Sequence, residues 1–330
     1  MALRPKVLLT RRFPEPGIEL LRRHVDLSIN PLDDPMPRQD IITEIEDKDG
    51  LLCLLTDNID AEIIRAGKQL KVIANYAVGY NNIDLKEATK RKIPVTNTPD
   101  VLTETTADLT FALLLSIARR IVEADKFLRQ GKFIGWSPML LLGHDVHEKN
   151  LGIIGFGRIG RAVARRAKGF GMKVLYYDLV RLSDDEEKIL GVKYDKLDDL
   201  LKESDFVCIH VSLNEQTHHL ITKEKLTLMK PSSYLINVAR GPIIDEQALA
   251  EALHKKIIAG CALDVYEREP AINKKLLSMD NTVLVPHIGS ASIETRTNMA
   301  LMVAENVIAV LVENGRAPNT VNPKIYEGWH

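Results

Sequence analysis

Short apolar runs alternate with segments of helical periodicity along the first hundred residues. The runs are rich in Leu, Val and Ile, and they cover residues 6–10, 51–55, 71–75 and 94–97. Helical segments between them include residues 17–24 and 61–66. Because most of these runs have a continuously apolar centre, they predict strands that are buried on both faces of a parallel sheet covered by helices.

The pattern changes near Asn97. A long helix is predicted from a cap at Thr103 through to Gly131, and a loop containing Gly and Trp follows at residues 131–144. A second series of strands then begins, at residues 151–154, 173–178, 206–210, 234–238, 260–265 and 282–286. Helices are expected between these strands, and a last helix is expected at residues 293–311. The chain therefore reads as an α/β protein with two parallel-sheet domains.

Length and charge narrow the class of protein. A chain of 330 residues can build two hydrophobic cores. Its 44 basic and 45 acidic residues leave a net charge of −1, without the basic excess of a nucleic-acid-binding protein. The longest apolar stretch, residues 111–118, is too short to span a bilayer, and residues 1–6 lack the apolar region of a signal peptide. We expect a cytoplasmic protein without nucleic-acid or membrane partners.

The cysteines and histidines bear on redox state and metals. Cys53, Cys208 and Cys261 lie far apart in apolar runs and form no CxxC motif, so we expect buried, reduced thiols in a reducing compartment. The nine histidines show no metal-ligand spacing, and no metal is expected.

The most specific motif is LGIIGFGRIG at residues 151–160, which follows a predicted strand and opens a predicted helix. Gly155 suits a tight turn, Gly157 lets the backbone approach a pyrophosphate, and Gly160 lets the helix pack on the strand. Arg158 and Ile159 belong to the same turn and open the helix, whose N–H groups and positive dipole end favour phosphate. The motif predicts a dinucleotide-binding site.

An acidic residue ends the next strand, as this motif requires. Asp178 lies about twenty residues after the turn, where a carboxylate accepts hydrogen bonds from the adenosine ribose and repels a 2′-phosphate. This favours NAD(H) over NADP(H). Arg181 is close enough in sequence to soften that preference, so use of NADP(H) stays open.

Three chemically capable side chains follow strands of the second series: Arg240, Glu269 and His287. Ligands collect at the carboxyl ends of parallel strands, so these three can share one cleft with a nicotinamide. Each also has a structural interpretation by itself: Arg240 as a turn cap, Glu269 as a solvated carboxylate and His287 as a core histidine.

Taken together, these features resemble the D-isomer specific 2-hydroxyacid dehydrogenase family over nearly the whole chain. The segments that carry the resemblance are YAVGYNNID at 76–84, NTP at 97–99, GFGRIG at 155–160, NVARG at 237–241, LDV at 263–265 and PHIGS at 286–290. Residues 119–120, 135–136 and 168–172 are most similar to the glyoxylate/hydroxypyruvate reductases within that family.

The resemblance implies a mechanism. Arg240 binds the substrate carboxylate and polarises the C2 carbonyl, a role that suits its planar guanidinium. His287 is the general acid in reduction and the base in oxidation, and Glu269 orients its ring and favours the protonated form. The N–H groups of Val78 and Gly79 hold the carboxylate as well.

The resemblance also implies further cofactor contacts, from Asp264 at the nicotinamide end, from Val238 and Ala239, and from Thr106, which is equally suited to a plain helix start. It implies two Rossmann- or flavodoxin-like domains. The cofactor domain, residues 99–289, is inserted in a discontinuous substrate domain of residues 1–98 and 290–330. It implies a homodimer in which the loop around Trp136 reaches the partner's active site. A locally buried Trp136 is the alternative.

The substrate is the least determined feature. Phosphite dehydrogenases of this fold carry Lys where this chain has Val78, and the uncharged residues 54–56 suit a small acid. We therefore expect NADH to reduce glyoxylate or hydroxypyruvate to glycolate or D-glycerate. The same chemistry on D-lactate or 3-phosphoglycerate is an alternative, as is a non-enzymatic NAD-sensing protein similar to the corepressors that share the fold.

Overall fold

The chain divides into two compact units. A computed structural model describes residues 4–327, and in it the first unit comprises residues 4–102 and 290–327 while the second comprises residues 103–289. The second unit is therefore an insertion in the first. Residues 1–3, which belong to the segment expected to lack a signal region, and residues 328–330 lie outside the described part of the chain.

The first unit is built on a five-stranded parallel sheet. Its elements are β1 (Lys6–Leu9), α1 (Glu15–His24), β2 (Asp26–Ile29), α2 (Arg38–Glu44), β3 (Gly50–Cys53), α3 (Ala61–Ala66), β4 (Val72–Asn75), α4 (Leu85–Lys90) and β5 (Val95–Thr96). The strand order is β2-β1-β3-β4-β5, and every neighbouring pair is parallel. This is the flavodoxin-like order, in which the strand sequence reverses between β1 and β3.

The second unit is built on a seven-stranded parallel sheet. Its elements are α5 (Thr103–Ala118), α6 (Ile121–Arg129), β6 (Asn150–Ile154), α7 (Arg158–Gly169), β7 (Lys173–Tyr177), α8 (Asp184–Leu190), β8 (Val192–Tyr194), α9 (Leu197–Glu203), β9 (Phe206–Ile209), α10 (Lys223–Leu228), β10 (Tyr234–Asn237), α11 (Glu246–His254), β11 (Gly260–Leu263), α12 (Lys274–Leu277) and β12 (Thr282–Leu284). The chain then returns to the first unit with α13 (Ile293–Leu311).

The strand order of this second sheet is β12-β11-β10-β9-β6-β7-β8, with all pairs parallel. It is the Rossmann order with one added strand, and the sequence of strands reverses between β6 and β9. Ligands of such sheets bind at this reversal, beyond the carboxyl ends of the strands. The predicted fold class is confirmed.

Both faces of the second sheet are buried, as its continuous apolar strands predicted. Ile236 and Cys208 pack with one apolar cluster, and Leu235 and Cys261 pack with another on the opposite face. Cys53, Cys208 and Cys261 are all buried free thiols, which confirms that part of the prediction.

Three local features differ from the sequence prediction. The expected long helix is two helices, because Arg120 adopts a left-handed conformation (φ 54°) that ends α5 and precedes α6. Thr103 is the first residue of α5 and not its cap. The strands β2 and β8 were missed, since β2 is a half-buried edge strand with polar residues and β8 has three residues. No helix within residues 4–327 is long and apolar enough to cross a membrane.

Candidate active site

The glycine turn joins β6 to α7 at the strand-order reversal. Gly155 has φ +94°, and a Cβ there would lie 2.6 Å from the Val211 nitrogen. A Cβ on Gly160 would lie 2.2 Å from the Gly155 carbonyl oxygen, so this glycine allows the helix to pack on the turn. By contrast, a Cβ on Gly157 would have no atom of the described chain within 4 Å, which leaves its backbone open to a ligand.

The start of α7 suits a phosphate group. Arg158 and Ile159 are its first two residues, and Gly157 before them supplies no side-chain cap for the helix N–H groups. Asp178 follows β7, and its Oδ2 accepts the Phe156 N–H of the glycine turn at 2.6 Å. The turn and the acid are thus held together by one hydrogen bond, and the residues present fit a dinucleotide.

His287 lies beyond β12 in a left-handed backbone conformation (φ 54°) that is uncommon outside glycine. Its Nδ1 lies 2.9 Å from Glu269 Oε2, and Glu269 Oε1 accepts the Tyr266 N–H at 3.0 Å. Because Nδ1 is engaged by the carboxylate, Nε2 is the ring nitrogen that can exchange a proton with a ligand.

The charge on Glu269 is stabilised in place. Burial alone would raise the pKa of this carboxyl, but the hydrogen bonds from His287 and Tyr266 and the charges of His287 and Arg240 lower it below its usual value. An ionised carboxylate at this position keeps the His287 ring oriented with a proton on Nδ1.

Asp264 holds the backbone around His287. This buried carboxylate follows β11 and accepts the Ile288 N–H at 2.6 Å and the Gly289 N–H at 2.8 Å. Burial raises the pKa of Asp264, and those two bonds and the charge of His287 oppose the shift. Thr106 of α5 donates to the Gly289 carbonyl at 3.1 Å, so it supports the same segment.

Arg240 follows β10 and completes the group. Its Nη1 donates to the Ala239 carbonyl at 2.7 Å, and the Ala239 N–H bonds Asn237 Oδ1 at 3.0 Å. Burial lowers the pKa of the Arg240 guanidinium, against the charge of Glu269. Val238, the first residue after the strand, is buried. The structure therefore brings Arg240, Glu269 and His287 to one edge of the sheet, where their charges interact.

Sequence reasoning missed a pair of glutamates behind this group. Glu246 of α11 and Glu267 each accept the other's backbone N–H, at distances of 2.8 and 3.1 Å. Glu246 also accepts the Asn273 N–H at 2.9 Å, and His219 Nε2 lies 3.3 Å from Glu267. The pair ties the segment that carries Glu269 to the start of α11. Glu246 and Glu267 are two of many charged residues in the sequence, and their spacing does not indicate that they pair.

Val78 and Gly79 lie in the first unit, in the loop that follows β4. Asn97 Nδ2 donates to the Val78 carbonyl and Asn75 Nδ2 to the Gly79 carbonyl, each at 2.8 Å. Asn82 fixes the start of the neighbouring loop by donating to the Leu54 carbonyl at 3.0 Å. The two carbonyls are thus held by side-chain amides at the carboxyl edge of this sheet.

Residues 121–142 expose many apolar side chains. α6 has no buried residue, Trp136 is 85% exposed and Ile134 is fully exposed, so the local burial considered for Trp136 is not found. Within residues 4–327, no group of three His, Cys, Asp or Glu side chains is placed to hold a metal ion.

A Rossmann dinucleotide site that shares its sheet edge with a histidine–carboxylate pair and a partly buried arginine defines a nicotinamide-dependent dehydrogenase. The family model of the D-isomer specific 2-hydroxyacid dehydrogenase NAD-binding domain matches residues 111–289. The chain belongs to this family.

The chain is similar to named reductases over nearly its full length. The chain is 52% identical over 326 residues to a glyoxylate reductase of Korarchaeum cryptofilum, covering 98% of this chain and 97% of that one. A glyoxylate reductase structure from Paecilomyes thermophila is 33% identical with a TM-score of 0.86, covering 97% and 99% of the two chains. An NADPH-dependent glyoxylate/hydroxypyruvate reductase of Sinorhizobium meliloti, in complex with NADP and malonate, is 32% identical with a TM-score of 0.83, covering 96% and 97%.

Proposed function

We propose that the protein reduces glyoxylate or hydroxypyruvate to glycolate or D-glycerate with NADH. The observation that carries the proposal is the 2.9 Å contact between His287 Nδ1 and Glu269 Oε2 at the edge of the sheet that bears the glycine turn. The names of the full-length relatives support the substrate class. We assign the cofactor domain to the second unit, residues 103–289, and the substrate domain to the first unit. The boundary expected from the sequence, residues 99–289 for the cofactor domain, begins four residues earlier.

Each proposed catalytic side chain has its own role in the reaction. Arg240 binds the carboxylate and polarises the C2 carbonyl, because a partly buried and desolvated guanidinium gains from meeting an anion. His287 Nε2 would donate a proton to the carbonyl oxygen. NADH held by the second unit would supply the hydride for C2. Glu269 keeps Nδ1 protonated during the transfer. The N–H groups of Val78 and Gly79 bind the carboxylate.

The proposed cofactor contacts are all made by residues of the second unit. Gly155, Gly157, Arg158, Ile159 and Gly160 form the pyrophosphate turn. Asp178 binds the adenosine ribose, Asp264 and Thr106 contact the nicotinamide end, and Val238 and Ala239 are further cofactor contacts.

Loss of nicotinamide absorbance tests this reaction. Purified protein is given NADH or NADPH with glyoxylate, hydroxypyruvate, pyruvate or phosphohydroxypyruvate. We expect rapid NADH oxidation with the first two acids, abolished in His287→Ala and retained in His254→Ala, an exposed histidine at the end of α11. Faster turnover of pyruvate or phosphohydroxypyruvate than of glyoxylate and hydroxypyruvate would contradict the proposed substrate and identify the preferred acid instead. Tight NADH binding without turnover of any acid would favour the NAD-sensing alternative.

We also propose that the protein is a cytoplasmic homodimer joined through residues 121–142. Exposed Phe133, Ile134, Trp136 and Met139 form an apolar surface of the kind that mediates association. The three buried thiols suit a reducing compartment.

Light scattering after size exclusion tests the dimer. Ile134→Asp is expected to give a monomer, whereas Ile189→Asp, at an isoleucine of α8 that is 78% exposed, leaves the dimer intact. A monomeric native protein, or an Ile134→Asp variant that stays dimeric, would count against this interface.

A further inference from the structure

A cluster of charged side chains lies beside the ribose-binding acid, in the segment from β7 to α8. Arg181 is three residues after Asp178. Its Nε donates to Glu187 Oε1 at 2.9 Å, and its Nη2 lies 3.3 Å from Glu187 Oε2 and 2.9 Å from Asp184 Oδ1. The guanidinium also lies over the ring of Tyr194, 5.5 Å from its centroid. Arg181 is therefore held by two carboxylates and an aromatic face.

The Glu187 side chain, which binds Arg181, is itself held in place. The Glu187 side chain is only 11% exposed, and the hydroxyl of the fully buried Tyr176 donates to its Oε1 at 2.9 Å. The same hydroxyl accepts the Leu182 N–H at 2.9 Å, which fixes the backbone next to Arg181. Moving Arg181 away would leave Glu187 as a largely buried carboxylate without its cation, which is costly.

Asp178 is equally fixed. Its Oδ2 is bound to the Phe156 N–H at 2.6 Å, so it cannot easily turn away from the ribose position. A 2′-phosphate beside it would require a cation to offset the repulsion. Other arginines of this region are engaged too: Arg161 lies 3.8 Å from Glu186 and over the Phe156 ring, and Arg158 has an interaction of its own.

We propose that Glu187 and Asp184 hold Arg181 away from the adenosine 2′-phosphate, so that this ion-pair cluster, together with Asp178, makes the protein discriminate against NADP(H). The proposal rests on the proposed function only in assuming a nicotinamide dinucleotide. It identifies Glu187 as a specificity-determining residue that need not touch the cofactor. The sequence alone suggested the opposite role for Arg181, which was expected to soften the NAD preference.

Fluorescence titration of NADH and NADPH tests the proposal without any acid substrate, so a failed turnover assay does not affect its result. The fragments ADP and adenosine 2′,5′-bisphosphate are titrated alongside. In the wild-type background, Arg181→Ala is expected to leave the ratio of the NADPH and NADH dissociation constants unchanged. In Glu187→Gln, which keeps an acceptor for Tyr176, NADPH should bind about 5–10-fold more tightly, while NADH binding stays the same.

The double variant decides the cause. Adding Arg181→Ala to Glu187→Gln should cancel the gain in NADPH affinity, because the freed guanidinium produces it. Asp184→Asn should give a smaller gain in NADPH affinity. Because Asp184 is exposed, this variant tests the proposal even if Glu187→Gln does not fold. Asp185→Asn, at an exposed neighbour that forms an ion pair with Lys188 at 3.9 Å, controls for the loss of one negative charge.

Three results would overturn the proposal. One is a loss of NADPH affinity of about fivefold or more in Arg181→Ala alone, which would mean that Arg181 already binds the phosphate. Another is a gain in Asp185→Asn equal to that in Glu187→Gln. The last is an unchanged NADPH affinity in both Glu187→Gln and Asp184→Asn.

Discussion

Replacing Glu269 by glutamine tests the proposed proton transfer through a specific rearrangement of hydrogen bonds. In the native protein, one carboxylate oxygen contacts His287 Nδ1 at 2.9 Å and the other accepts the Tyr266 N–H at 3.0 Å. Glutamine has one acceptor oxygen, and the Tyr266 N–H requires it. The NH2 group must then face Nδ1, which has to accept a hydrogen bond.

The consequence is a neutral imidazole with its proton on Nε2. Such a ring is a much weaker acid than imidazolium, so the proposed protonation of the carbonyl oxygen loses most of its driving force. General acid catalysis contributes about 10²–10⁴ to a rate, and we expect kcat for glyoxylate to fall by about 10²–10³. That fall corresponds to about 3–4 kcal/mol of activation free energy.

The assay is steady-state oxidation of NADH with saturating glyoxylate, together with NADH titration and thermal unfolding of each variant. NADH affinity and melting temperature should change little, because the substitution preserves the shape of the side chain and both hydrogen bonds, with the direction of the bond to His287 reversed. Arg268→Gln, at the exposed neighbouring residue, is the matched control and should retain full activity. A Glu269→Gln enzyme with kcat within about threefold of the wild type would refute the role assigned to this carboxylate.

Three further substitutions test other parts of the structure. Gly155→Ala places a Cβ 2.6 Å from the Val211 nitrogen at φ +94°, and calorimetry should show NADH binding weakened by about tenfold or more; unchanged affinity would contradict the tight-turn argument. Burial lowers the pKa of His210 to about 3, below its value in the unfolded chain, so the unfolded state takes up the proton as the pH falls and the folded state loses stability. Urea unfolding between pH 6.5 and 4.5 should therefore show His210→Phe losing less free energy than the wild type, by about 1.4 kcal/mol per pH unit, and parallel pH profiles would show that His210 does not titrate in this way. Glu267→Ala leaves the Glu246 N–H without its acceptor and should lower the free energy of unfolding by about 1–3 kcal/mol, an effect that Glu267→Gln should largely restore.

The residues of the proposed catalytic group could be predicted because their positions follow from a general property of parallel sheets. Continuous apolar runs identified most strands, and side chains directly after those strands gather at one edge. Arg240, Glu269 and His287 each lie beyond such a strand. The glycine turn could also be predicted, since Gly155, Gly157 and Gly160 act through local backbone geometry that their spacing encodes.

Partly buried edges were less visible. β2 and β8 carry polar residues because only part of each strand is covered, so they lack a continuous apolar run. The break between α5 and α6 depends on a left-handed Arg120, which contacts Glu123 and the Leu142 carbonyl rather than continuing the helix. Helix propensity alone gives no reason for an arginine to adopt that conformation.

The sequence by itself determined the two parallel sheets and the glycine turn, because periodicity and short-range spacing encode them. It also identified Arg240, Glu269 and His287 as candidate reactive side chains. Only the tertiary structure decided which charges meet. Three sets of contacts depend on side-chain directions after packing. They are the reciprocal hydrogen bonds of Glu246 and Glu267, the hydrogen bonds of Asp264 to the backbone after His287, and the ion pair of Arg181 with Glu187. Electrostatic interactions weaken with distance and with solvent exposure, so their partners cannot be assigned until the fold has set both.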